Sequence, residues 1–264
     1  MRAQHSTSAA ARVVGGALAI MVALSPLVVI ALTASSTRWF FPSAWPSSLT
    51  LRPLADALRT PATGSAIGNG LVVGVVVTGV ALLLAWPAAR VLARPHLPGR
   101  ALIAAVLLLP SLLPAVGLAI GLDIVALRAG VAGTTFGVVA AHLVPVLPYV
   151  VVSLAAGFAS HDRLLEAQAA VLGATDRQRL LLVTIPAMRR SLAVAAALGF
   201  VISWSQYLLT VLVGSGKVIT ITTLLYAALS GGNPTTIGAL ALITAVPAVV
   251  VLVAAGTRTD QAAT

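Results

Sequence analysis

The chain contains no cysteine. Disulfides and thiolate metal sites are therefore excluded, and the redox compartment leaves no mark on the sequence. Acidic residues are also scarce, with six Asp and Glu against 16 Lys and Arg in 264 residues. Charged residues make up 8% of the chain, where a soluble domain carries roughly 25%. So little charge cannot cover a water-facing surface. Apolar residues take its place: 59% of the chain is hydrophobic and its mean hydropathy is +1.05. The chain reads as an integral membrane protein. At about 20 apolar residues per crossing, it has room for roughly six or seven helices with short loops, and for no further soluble domain of ordinary size.

The net charge of +10 raises nucleic acid as a partner. The basic residues are scattered between hydrophobic runs without interleaved aromatics, so no nucleic-acid surface is expected. Membrane orientation accounts for them more simply.

The uncharged run Val13 to Leu32, preceded by Arg2 and Arg12, has twenty residues and would be about 30 Å long as a helix. A cleaved signal peptide is the competing reading. The length of the run, and the bulky Leu32 at the candidate site Leu32-Thr33-Ala34, favour a first membrane helix. A proline-rich stretch follows with Trp39, Phe40, Phe41 and Trp45, a density of aromatics suited to a membrane interface. Within it "LRPLADALR" fits a short interfacial amphipathic helix. Further helices are expected at about 66–89, 101–126 (interrupted by Pro110 and Pro114), 135–158 (with Pro145 and Pro148), 192–213 and 237–255. Val218 to Leu229 is too short to span and reads as a hairpin or interfacial segment.

Six helices put both termini on one side. The termini and the even-numbered loops hold 11 basic residues: Arg2, Arg12, Arg90, Arg94, Arg100, Arg163, Arg177, Arg179, Arg189, Arg190 and Arg258. The other loops hold 5: Arg38, Arg52, Arg59, Arg128 and Lys217. This bias places both termini, and residues 162–190, in the cytoplasm.

Residues 162–190 are the one place where charge returns in quantity. Asp162, Arg163, Glu166, Asp176, Arg177, Arg179, Arg189 and Arg190 would each cost roughly 2.5–3.5 kcal/mol at a bilayer centre, so the stretch stays outside the hydrocarbon. Residues 164–172 are good helix formers. Gly173 follows as a stop, and Thr175 to Gln178 fits a capping box that opens a second helix, which Pro186 ends. Two short helices with an elbow at Gly173 are more than a connection needs. They suggest a docking surface.

The stretch resembles the EAA loop of ABC importer permeases, the inner-membrane components of binding-protein-dependent transport systems. That family's pattern runs Glu-Ala-Ala, a glycine, then Ile-x-Leu-Pro. Here stand Glu166-Ala167-Gln168, Gly173-Ala174 and Ile185-Pro186. Glu166 lies seven residues before Gly173, where the family more often has six, so strict register puts Ala167 in the glutamate's place. "FPSAWPSSLTLRPLADALR" and "AHLVPVLPYVVVSL" resemble the polyamine, iron and thiamine branch. The resemblance implies an all-α, six-helix type I permease fold. It implies one transmembrane domain over 1–264, with a core at about 60–256 and a coupling loop at about 160–190. It also implies a bacterial inner-membrane location, cytoplasmic ATPase subunits, a second permease subunit and an extracytoplasmic substrate-binding protein. Glu166, Ala167, Ala169, Gly173, Ala174, Ile185 and Pro186 would then couple to the ATPase. A small solute, polyamine-like or other, would be carried.

Other chemistry finds little support. "GSGK" at 214–217 lacks the first glycine of a phosphate loop, and Val218 stands where Ser or Thr is required, so no nucleotide is hydrolysed here. No cofactor or metal site is expected. His142 lies within a helix and is expected to cap a backbone carbonyl near Pro145 or Pro148. With Ser203, Ser205 and Gln206 of "SWSQY" it is also a candidate to line a translocation path. Asp123 and Arg128 read as an interfacial pair. An ion-coupled secondary transporter is the alternative function, but it would need midplane carboxylates and often repeated halves. Asp123 is the only such carboxylate, and no repeat is visible.

Overall fold

Helices follow the uncharged runs. The computed structural model describes residues 3–37, 39, 43, 45, 46 and 48–260. Among these, the only β-type pairing is an isolated bridge between Ser36 and Leu49. The elements are α1 (Ala3–Ala34), α2 (Arg52–Arg59), α3 (Pro61–Leu92), α4 (Arg100–Leu112), α5 (Ala115–Arg128), α6 (Thr135–Ser160), α7 (Arg163–Val171), α8 (Asp176–Gln178), a π-helical segment (Arg179–Thr184), α9 (Ile185–Ala187), α10 (Arg189–Trp204), α11 (Leu208–Val213), α12 (Ile221–Ser230) and α13 (Pro234–Asp260). Arg2, Arg38, Phe40, Phe41 and the last four residues lie outside the described residues, as do the side chains of Arg12, Arg163 and Arg258.

Val14–Ala34, Pro61–Leu92, Thr135–Ser160 and Pro234–Thr257 are each long and apolar enough to cross a bilayer, and two bent pairs raise the possible spans to six. The expected helix at 101–126 is one of those pairs. α4 and α5 meet at 95°, because Leu113 is extended and Pro114 precedes α5 with ψ 130°. A proline here has no N–H to continue the ladder and disfavours helical backbone in the residue before it.

The expected helix at 192–213 is also divided. α10 ends at Trp204 and α11 begins at Leu208. A break in a membrane-spanning helix is tolerated only if the freed backbone groups find partners inside the protein. Thr222 Oγ1 donates to the Trp204 carbonyl at 2.7 Å, and Thr210 Oγ1 donates to the Gln206 carbonyl at 2.8 Å. Side chains from the following turn and from α12 thus replace the missing ladder.

Contacts divide the chain into two compact units. The first draws on Met1–Gly64 and Leu224–Ala245. Its helix α2 lies where the amphipathic segment was expected, and Leu58 is exposed, as are Trp45 and Leu49 of the preceding stretch. Gly238 presses on the end of α1, where an added Cβ would come within 2.8 Å of the Ala34 nitrogen.

The second unit draws on Ser65–Thr223 and Val246–Thr264. Its centre is α6, packed chiefly on α10, with α11 packed on α5. Without a hydrophobic driving force between helices in lipid, close approach depends on small residues. Gly157 of α6 leaves so little room that a Cβ would lie 2.4 Å from Ser191 Cβ and 2.9 Å from Met188 Cε. Gly70 and Gly74 of α3 receive Trp204 and Phe200, whose rings stack 5.6 Å apart. Trp86 of α3 meets Phe158 of α6 edge-on at 4.9 Å.

Gly157→Ala should therefore lower stability by about 1–3 kcal/mol, the usual cost of overpacking a filled core. Thermal unfolding in detergent would show it as a reduced midpoint. Gly79→Ala, where a Cβ meets nothing within 4 Å, should not lower that midpoint and should raise it slightly, since Ala favours helix over Gly by about 0.5–1 kcal/mol.

Candidate functional site

The charged stretch folds as two short helices around a turn, with both ends of the first and the start of the second capped. Asp162 caps α7, its Oδ1 accepting from the Leu164 N–H at 2.8 Å. At the other end, the Ala174 N–H donates to the Ala169 carbonyl and the Gly173 N–H to the Ala170 carbonyl, both at 3.0 Å. This crossed pair is the Schellman arrangement, and it needs a residue with positive φ. Gly173 supplies it at +83°. Thr175 and Gln178 form the expected capping box: the Gln178 N–H donates to Thr175 Oγ1 at 3.3 Å and the Thr175 N–H to Gln178 Oε1 at 2.8 Å.

The second helix differs from expectation. Pro186 does not end it; the chain turns two residues later at Met188, by 74° into α10. The reason is the π-helical segment ahead of it. In an α-helix the Pro186 ring would clash with the carbonyl four residues back. Widening residues 179–184 moves that carbonyl away, and the Ile185 N–H bonds the Leu180 carbonyl five residues back. Thr184 Oγ1 lies 3.2 Å from the Arg179 carbonyl across the wide turn, sharing its one proton between that carbonyl and Glu166.

The two faces of α7 are unlike. Leu164, Ala167, Gln168, Val171 and Leu172 line an apolar groove of about 450 Å³, and Leu172 is 87% exposed. The spacing i, i+3, i+4, i+7 makes this one helix face. Ala169 and Ala174 are half-buried, while Ile185 and Pro186 are exposed.

Glu166 points the other way, its side chain only 13% exposed. It pairs with Arg90 of α3, accepts from Thr184 Oγ1 at 3.0 Å and lies 3.4 Å from His161 Nε2. The His161 approach lacks hydrogen-bond geometry. Trp86, Arg90, Glu166, Asp176, Arg179, Leu180 and Thr184 line a pocket of about 360 Å³. Asp176 and Arg179, three residues apart on one helical stretch, are paired at its edge. The sequence pattern points to Glu166 and gives no sign of Arg90, His161 or Thr184 as its partners. Arg90 and Glu166 are 76 positions apart, and no local pattern links them.

The polar cluster of the divided helix is drawn inward in part. His142 is 1% exposed. Its Nδ1 lies 3.0 Å from Ser203 Oγ and its Nε2 3.0 Å from Thr210 Oγ1. The ring thus bridges α10 and α11 across the break, and it bonds two hydroxyls instead of the expected backbone carbonyl. Ser205 is exposed, its Oγ donating to the Ile202 carbonyl at 3.1 Å, and Gln206 is half-buried. Asp123 does not pair with Arg128. Its Oδ1 is buried without a hydrogen-bond partner. Five residues along a helix rotate about 140°, so the two side chains leave on different faces. Among the described residues no cluster of three metal-ligating side chains occurs.

No family model matches the chain. Among curated proteins, the trehalose transport system permease protein SugB of Mycobacterium tuberculosis is 29% identical over 164 residues, 62% of this chain and 60% of that protein. The chain thus spans less than two thirds of that relative. A transport system permease protein, PhnV of Salmonella paratyphi A, is 30% identical over 208 residues, 78% of this chain and 77% of its own length. Among solved structures, a chain of a bacterial ABC transporter involved in the import of the acidic polysaccharide alginate superposes with a TM-score of 0.69. It is 19% identical, and the match covers 97% of this chain and 98% of that one. That likeness bears on the fold, which is shared along nearly the whole length.

Two substitutions probe this geometry. Gly173→Val places a β-branched residue at φ +83°, where strain is about 1–2 kcal/mol. Hydrogen exchange at 163–178 should accelerate while α6 is unaffected. His142→Leu removes two interhelical bonds, each worth about 0.6 kcal/mol within a membrane. It should lower the thermal midpoint measurably, and Ser205→Ala should not.

Proposed function

The chain belongs to the family of ABC transporter permeases, and from that premise we propose that it is the membrane subunit of an ATP-driven importer, docked on a cytoplasmic ATPase through the exposed face of α7. The observation that carries this reading is the pairing of an open apolar face with fully closed helix ends. A helix whose termini are capped and whose inner face is fixed has no folding reason to leave Leu164, Val171 and Leu172 exposed outside the hydrocarbon. A partner surface gives one. Ala167 lies in the middle of that face, and its small side chain would let a cleft close on the helix.

In this reading residues 60–256 form the permease core and 160–190 the coupling loop. Two such chains, or this chain and a sister subunit, enclose the path, and an extracytoplasmic binding protein delivers a small solute, polyamine-like or other. Both termini face the cytoplasm of a bacterial inner membrane, as the division of basic residues suggests. ATP binding closes the ATPases and biases the permease pair between inward- and outward-facing states. Ser205 and Gln206, at the break between α10 and α11, are the polar groups placed to meet solute. His142 and Ser203 hold the break together behind them.

Absence of cysteine makes orientation directly testable. With single substitutions in membrane vesicles, Ser48→Cys should react with an impermeant maleimide from outside, and Arg177→Cys only from within. Ala167→Trp should abolish co-purification of the ATPase while the chain still inserts. An ATPase that binds Ala167→Trp normally would mean that α7 is not the docking face. Transport by the purified chain alone, driven by an ion gradient, would favour the secondary-transporter alternative.

A further inference from the structure

Four separate segments meet at one carboxylate. Arg90 lies in the last turn of α3, His161 is the residue after α6, Glu166 sits in the first turns of α7, and Thr184 ends the π segment. Thr184 is buried, and the side chain of His161 is 5% exposed. Arg90 is half-exposed at 50%, so the ion pair by itself would add little to stability. Its position matters more. Among neighbouring elements α7 packs mainly on the π segment, and the Glu166 carboxylate links it to Arg90 of α3. α3 in turn is fixed to α6 one turn away, where Trp86 meets Phe158.

We propose that Arg90 is a positioning residue: with Thr184 it latches Glu166 inward, so that displacement of α7 is passed to α3 and α6 through this one carboxylate. Glu166 therefore acts within the chain, not on the docked partner. The helix dipoles favour the arrangement, since α3 presents its C-terminal end to Arg90 and α7 its N-terminal end to Glu166. The shifted register is consistent with it: the residue in the family's glutamate position, Ala167, faces outward, and the glutamate one step earlier faces inward. Bond geometry adds direction. Thr184 Oγ1 touches both Glu166 and the carbonyl of Arg179, so the π turn and the latch share one hydroxyl. A change in the width of that turn would loosen the carboxylate. The transmission role rests on the reading that α7 docks on an ATPase; the latch itself does not.

The experiment separates the two. In the chain alone in lipid nanodiscs, Arg90→Ala should raise amide exchange across 163–187 at least fivefold and leave the middle of α6 unchanged. Thr184→Val, similar in shape, should do the same to a smaller degree. The exchanged pair Arg90→Glu with Glu166→Arg should return protection to within twofold of the unsubstituted chain. In the complex with ATPase, a spin label at Leu83 on α3 should move on addition of ATP, and Arg90→Ala should remove that movement. Unchanged exchange in both single variants, or a swapped pair as loose as either, overturns the latch. ATP-driven movement that persists in Arg90→Ala overturns its role in transmission. If no ATPase binds the unsubstituted chain, the docking reading fails, and the exchange measurements still decide the latch.

Discussion

A hydrocarbon layer offers no partner to a backbone N–H or carbonyl, and the rest of this molecule follows from that constraint. Each unsatisfied group costs several kcal/mol. The chain meets it with long uninterrupted helices wherever it can, and with specific side-chain bonds wherever it cannot. The interruption between α10 and α11 shows how demanding the second course is. One carbonyl takes a bond from Thr222, another from Thr210, and His142 ties Ser203 on one side to Thr210 on the other. The polar residues of this region are thus bound to the break itself. They explain why it is stable, and they leave Ser205 and Gln206 as the groups least committed to holding it.

The same constraint sorts the charges. Asp and Glu number six in the whole chain, and three of them, Asp162, Glu166 and Asp176, fall in the short stretch between α6 and α9. Each has a task there: Asp162 caps a helix, Glu166 joins four segments, and Asp176 pairs with Arg179. The stretch is consequently well ordered by its own bonds, which frees the opposite face of α7 from any part in folding. A helix that is exposed and apolar on one side suits contact with a partner, and one tied on its other side to α3 by a carboxylate suits the transfer of movement. Both properties come from the same nine residues of α7.

Much of this was legible beforehand. Long apolar runs, Gly173 with its left-handed backbone, the Thr175 to Gln178 capping box and the short helix at 52–59 all depend on residues close in sequence, and all were found where expected. The prolines were harder. Pro110, Pro114 and Pro186 signal a disturbance, but not its size: one produces part of a 95° bend, and another is accommodated inside a helix by a π turn. The difference is made by whether neighbouring backbone can widen, which depends on a side chain such as Thr184 being at hand. The interruption at 205–207 carried a weaker signal still, since "SWSQY" contains no proline or glycine.

By itself the sequence determined that this protein lives in a bilayer, where its apolar runs fall, and where its one charged elbow lies. Those properties are sums or local periodicities, and solvent exclusion acts on them residue by residue. Tertiary structure decided which polar groups meet. Arg90 and Glu166 find each other across 76 positions, and His142 reaches hydroxyls 61 and 68 positions away. Such pairs are set by how α3, α6 and α10 pack, through contacts as specific as Gly157 against Ser191 and Gly74 against Phe200. No local pattern encodes them, because the energy that selects them arises only after the helices have come together.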